Sequence, residues 1–177
     1  IAKRLYSKQK NAGIARINAN GTGFRSLYER AASGNLPGFP KFSPDGRKVA
    51  FEEFVNGNYE IMVMDTSGLN RFNFTNNTSD DRQPFWLPDG SGILYMTTRF
   101  SGEFDIAKQV NENVSRLTFT SGHELDPAIS QDGRRVIFAR PSSSRFYLIN
   151  SDGIGSIDSV NTVGEARYGT FGPRVRN

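Results

Sequence analysis

A four-bladed β-propeller, all-β with antiparallel four-stranded blades, is the fold that this 177-residue sequence predicts. Three observations lead there. A five-residue motif recurs with a near-constant period. Each copy is followed by two or three short apolar runs. The two ends of the chain read as complementary parts of one further copy.

The motif is Phe42-Ser43-Pro44-Asp45-Gly46, then Trp86-Leu87-Pro88-Asp89-Gly90, then Ile129-Ser130-Gln131-Asp132-Gly133, at offsets of 44 and 43 residues. A proline stands two residues ahead of each, at Pro40, Pro84 and Pro127. Proline lacks an N–H, so it suits the start of a strand. Asp-Gly between apolar runs is a tight-turn signal, because glycine accepts positive φ and Asp bonds the N–H groups of its own turn. Asp45, Asp89 and Asp132 therefore read as structural.

The strands follow in order. Val49-Ala50-Phe51, Ile93-Leu94-Tyr95 and Val136-Ile137-Phe138 form one set, and Ile61–Met64, Ile106–Val110 and Phe146–Ile149 the next. Arg71–Thr75 and Arg116–Thr120 read as closing strands. Four strands in about 44 residues is the size of a propeller blade. The blades fall at about 35–78, 79–121 and 122–164 within a single domain, 1–177. Aromatics at Phe42, Phe51, Phe72, Phe74, Trp86, Tyr95, Phe119, Phe138 and Phe171 are expected to pack between blades.

The ends complete the count. Residues 1–34 hold three strands, around Leu5, Ile14–Ile17 and Phe24–Tyr28, with Tyr6 in the place of Phe51. Segment 165–173 supplies a lone first strand, with Phe171 in the place of Phe42. Pairing head with tail removes two exposed sheet edges and closes the ring. The alternative is a fragment of a longer propeller. The chain opens at Ile1 rather than Met, which reads as a processed protein or an excised piece of one.

The string Pro40-Lys41-Phe42-Ser43-Pro44-Asp45-Gly46-Arg47-Lys48-Val49-Ala50-Phe51, followed by Tyr59–Asp65, resembles the TolB-type propeller repeat, and Leu117-Thr118 resembles its closing Leu-Thr. The resemblance implies a bacterial extracytoplasmic setting, periplasmic or secreted. It also implies protein partners, since members of the family bind the peptidoglycan-associated lipoprotein and colicins. Related blades gate peptidases and form oligogalacturonate lyases. The chain has no Gly-x-Ser-x-Gly elbow, and His123 is its one histidine. The reading therefore leans away from an enzyme.

Other chemistry is narrowed by composition. Cysteine is absent, which excludes thiolate metal sites and thiol nucleophiles, and no cofactor is called for. Residues 1–50 carry ten Lys/Arg against two Asp/Glu, and residues 51–110 carry four against nine. The basic third lacks an aromatic-basic nucleic-acid motif, so nucleic acid is an unlikely partner. No apolar run reaches the ~20 residues of a membrane-spanning helix.

Ligands of propellers meet the loops that lead into the innermost strands. Phe39, Gln83, Asp126 and Tyr168 stand directly before the proline column or its C-terminal counterpart. Asp81, Glu124, Glu165 and Arg167 lie just behind them. Together they predict a polar rim with aromatic walls for a non-catalytic binding module, its ligand a protein or peptide at the channel mouth or a blade face. The alternative is a carbohydrate-binding or carbohydrate-active propeller using the rim carboxylates.

Overall fold

The computed structural model describes residues 2–6, 11–31, 35–143 and 145–160. Fifteen strands are present among them. The expected strand at 165–173 lies outside the described residues. The chain divides into two compact units, Ile1–Trp86 and Leu87–Asn177.

In the first unit, β1 (Ala2–Tyr6), β2 (Asn11–Arg16) and β3 (Arg25–Ala31) form an antiparallel sheet in that order. A four-stranded sheet follows, ordered β4 (Gly38–Phe42), β5 (Lys48–Val55), β6 (Asn58–Asp65) and β7 (Phe72–Asn73). Ile14, Leu27, Val49, Phe51, Met62 and Met64 make the core of this unit, with Tyr28 and Phe42 packed against it. The Tyr28 and Phe51 ring centroids are 5.8 Å apart.

Strand β8 (Asp81–Trp86) ends the first unit, and the second opens with β9 (Gly92–Thr97), β10 (Asp105–Val110) and β11 (Asn113–Arg116), adjacent in that order. The second unit ends in the sheet of β12 (Leu125–Ile129), β13 (Arg135–Arg140), β14 (Arg145–Asn150) and β15 (Asp158–Val160). Each sheet thus runs in chain order with antiparallel neighbours, the topology of a propeller blade. The three-stranded sheet lacks a counterpart of β4, β8 and β12 among the described residues.

The recurring turn has the chemistry its residues dictate. Ser43 Oγ donates to Asp45 Oδ1 at 2.6 Å, and the same oxygen accepts the Arg47 N–H at 3.0 Å. Ser130, Asp132 and Arg134 repeat this at 2.6 and 3.1 Å. In the middle copy leucine replaces the first serine, and Ser91 bonds Asp89 through both Oγ and N–H. Gly46, Gly90 and Gly133 take φ of 70°, 73° and 73°. The serine and backbone donors hold the Asp45 carboxyl below its ordinary range, and the Ser91 donors do the same for Asp89.

The closing strands depart from the expectation: β7 is only two residues long, and β11 ends at Arg116, where the expected strand begins, for an identifiable reason. Thr75 Oγ1 accepts the Ile61 N–H at 3.0 Å, and Thr118 Oγ1 accepts that of Ile106 at 2.9 Å. A side-chain hydroxyl takes over from the backbone, so the ladder ends there. Thr118, not Thr120, is therefore the structural counterpart of Thr75. Phe119 falls beyond the strand and is 67% exposed, and Phe72 on β7 is 48% exposed. The expectation that both pack between blades is corrected. Phe51, Tyr95 and Phe138, by contrast, are fully buried.

Candidate functional site

Phe39, Gln83 and Asp126 share a rare backbone state, with φ of 51°, 52° and 53°. Each precedes a proline, which normally holds its neighbour in the extended region. Non-glycine residues seldom adopt positive φ, and such strain tends to collect at functional positions. At Phe39 and Asp126 the register shows how it arises. Gly38 faces Glu52 while Lys41 faces Ala50, leaving Phe39 and Pro40 opposite the one residue Phe51. Leu125 faces Ala139 while Ala128 faces Ile137, leaving Asp126 and Pro127 opposite Phe138. These are β-bulges, which redirect side chains. The three residues lie within β4, β8 and β12, not in the preceding loops where the sequence spacing puts them.

In the first unit the positive-φ backbone ahead of Pro84 is held by a buried carboxylate. Glu52, 2% exposed on β5, accepts the Gln83 N–H at 3.0 Å and Arg82 Nη2 at 2.7 Å. The Arg82 guanidinium lies 4.0 Å from the Tyr59 ring centroid, a cation–π contact. The Glu52 partners raise the Arg82 pKa against the opposing effect of its burial. The loop ahead of β8 is fastened separately. Asn77 donates through its N–H to Glu60 at 3.0 Å and through Nδ2 to Asp81 at 2.5 Å. Asn58 Nδ2 donates to the Ser79 carbonyl at 2.7 Å.

The second unit also buries a carboxylate against an arginine. Glu124 is fully buried and accepts from Thr118 Oγ1 at 3.1 Å, from Thr120 Oγ1, and from Arg140 Nη2 at 3.1 Å. The Arg140 guanidinium lies 4.4 Å from the Tyr147 ring centroid. Burial raises the Glu124 pKa, and the threonine and arginine donors only partly oppose it. In the window above its ordinary value the folded chain therefore binds more protons than the unfolded chain, and its stability falls as pH rises. Urea midpoints at about pH 5 and about pH 7 are expected to show this loss, and Glu124→Gln to reduce it.

The predicted rim residues therefore separate. Phe39, Gln83 and Asp126 share the positive φ ahead of proline, and Phe39 and Asp126 also share the bulge. Asp81 and Glu124, expected on the rim, are fully buried and hold the chain in front of the bulges. Glu165, Arg167 and Tyr168 lie outside the described residues. Exposed His123 accepts the Phe104 N–H through Nδ1 at 3.0 Å, which gives it a structural role. Sequence reading missed Glu52, Tyr59 and Arg140. A signal existed for Glu52, since Glu52-Glu53 interrupts an otherwise apolar strand. No group of three or more His, Asp or Glu able to hold a metal occurs among the described residues. No helix there is long and apolar enough to cross a membrane.

Repeated antiparallel sheets, the same Asp-Gly turn in three copies, and a positive-φ residue ahead of proline on three strands define a β-propeller repeat protein. Residues 15–172 match the family model of the TolB β-propeller domain, so the chain belongs to that family. A curated protein TolB homolog of Chlorobium luteolum is 30% identical over 140 residues, covering 72% of this chain and 31% of that protein. Another, from Chlorobium chlorochromatii, is 36% identical over 106 residues, covering 56% of this chain and 22% of that protein. The chain thus spans a third or less of these relatives. The crystal structure of TolB from Acinetobacter baumannii superposes with a TM-score of 0.72 at 25% identity, covering 89% of this chain and 39% of that one.

Proposed function

We propose that this chain is a non-catalytic, protein-binding propeller module of an extracytoplasmic, periplasmic compartment. Its ligand-facing residues are Phe39, Gln83 and Asp126, joined by Tyr168 at the equivalent position of the fourth blade. Segment 165–173 supplies the inner strand of the β1–β3 sheet and closes a ring of four blades. The observation that carries the reading is the shared positive φ of three residues ahead of proline, together with membership of a family whose resemblance implies protein partners. Strain kept at three equivalent positions needs a reason beyond folding, and redirecting side chains toward a ligand supplies one.

The test is titration calorimetry with the soluble domain of the peptidoglycan-associated lipoprotein. Gln83→Gly and Asp126→Gly remove the side chains while glycine accepts the backbone angle. The double variant is expected to bind about tenfold more weakly or worse, about 1.4 kcal/mol. Unchanged binding by the double variant, or no binding by the parent chain, contradicts the proposal.

A further inference from the structure

The two units build the same backbone latch with different side chains. Segment 75–84 aligns without a gap with segment 118–127, each running from the ladder-ending threonine to the proline ahead of the motif. Asp80 and His123 are therefore equivalent positions. The two threonines accept from Ile61 and Ile106, which makes Tyr59 and Phe104, two residues earlier, equivalent as well. In the first unit the Asp80 carboxylate accepts the Tyr59 N–H at 2.8 Å. In the second the same backbone donor, the Phe104 N–H, goes to His123 Nδ1 at 3.0 Å.

Further bonds complete the second latch. The Glu124 N–H donates to the Phe104 carbonyl at 2.7 Å, and the Gly122 N–H to Glu103 Oε2 at 2.7 Å. The Phe104 and His123 ring centroids lie 5.7 Å apart. Segment 122–124 is thus fastened to the end of the β9–β10 loop. It leads directly into β12, which carries Asp126.

The change of acceptor decides how each latch answers to pH. A carboxylate goes on accepting throughout the range, about pH 8 to 5, in which an imidazole gains its proton. An imidazole accepts only while neutral, because both nitrogens of the protonated ring are donors. Donor then faces donor, and the Phe104 N–H loses its partner. The bond is present above that range and is lost as pH falls through it. The charged groups around the latch are engaged elsewhere. Glu103 is taken by Gly122, Glu124 by Thr118, Thr120 and Arg140, and Asp105 by Ser101 and Arg116. Arg99, in the β9–β10 loop, is a cation and accepts nothing.

We infer that His123 makes the segment ahead of Asp126 a pH-sensitive latch, closed while the imidazole is neutral and released when it is protonated. The Asp80 latch of the first unit stays closed over the same range. Only the consequence for binding, a site held more loosely in acid, rests on Asp126 facing the ligand.

The test is hydrogen exchange of the whole chain by NMR, read as amide protection factors at about pH 7.5 and about pH 5.5. Toward the lower pH, Phe104 protection is expected to fall about fivefold or more, and Tyr59 protection to change less than about twofold. His123→Asp installs the acceptor of the first unit and is expected to keep Phe104 protected at both pH values. Asp80→His is expected to transfer the pH dependence to Tyr59. Glu124 is intact in both variants, so a pH dependence of its making would survive in His123→Asp. Constant protection of Phe104, a rise at the lower pH, survival of the fall in His123→Asp, or no transfer in Asp80→His overturns the inference. The exchange is measured without ligand, so this reading and the one tested with the lipoprotein can fail separately.

Discussion

Replacing Glu52 with alanine is expected to destabilise the chain by about 3 kcal/mol, seen as a lower urea midpoint. The reason is what the carboxylate leaves behind. Arg82 loses its ion pair at 2.7 Å, and the Gln83 N–H loses its acceptor at 3.0 Å. The positive-φ backbone at Gln83 is then without the group that fixes it. Glu52→Gln keeps an acceptor oxygen, and is expected to lie between the parent and the alanine variant. If alanine changes the midpoint no more than glutamine does, the carboxylate does not hold the Gln83 backbone.

Phe138→Ala is expected to have the larger effect, about 3–5 kcal/mol, because it removes a fully buried ring from the second unit. Phe138 stacks with Tyr147 at 5.8 Å and sits opposite the bulge of Asp126 and Pro127. Lost burial and the cavity left behind both contribute. Phe72→Ala is the matched control, since that ring is 48% exposed on a two-residue strand. Its effect is expected to stay within about 0.5–1 kcal/mol. Similar losses in the two variants would contradict the assignment of Phe138 to the core and Phe72 to the surface.

The difference between these two phenylalanines marks where the sequence stops being informative. Proline, Asp-Gly and the apolar runs act within a few residues, so turn and strand order could be read directly. Thr75 and Thr118 could be recognised as parts of a closing element. That their hydroxyls end the ladder, leaving Phe119 outside, depends on atoms brought together across two strands. The pairing of Glu52 with Arg82 spans 30 residues and has no local signature. The same holds for Glu124 with Arg140. Carboxylates expected at the surface are buried because asparagine and threonine donors of the preceding loops, and Arg140 from β13, reach them. The bulges were half legible. The proline column located them, but positive φ ahead of proline runs against local preference and follows only from strand register.

The ring proposed here rests on a pairing that can be measured directly. Ala50 faces Lys41 in the complete blade. By the repeat alignment Leu5 stands for Ala50 and Thr170 for Lys41. The chain has no cysteine, so Leu5→Cys with Thr170→Cys offers one disulfide and no competitor. Under mild oxidation of the native monomer, head-to-tail pairing predicts a quantitative intramolecular disulfide, with raised thermal stability that is lost on reduction. Two free thiols in the oxidised native monomer, with crosslinking seen only after denaturation or between chains, would contradict the closed ring.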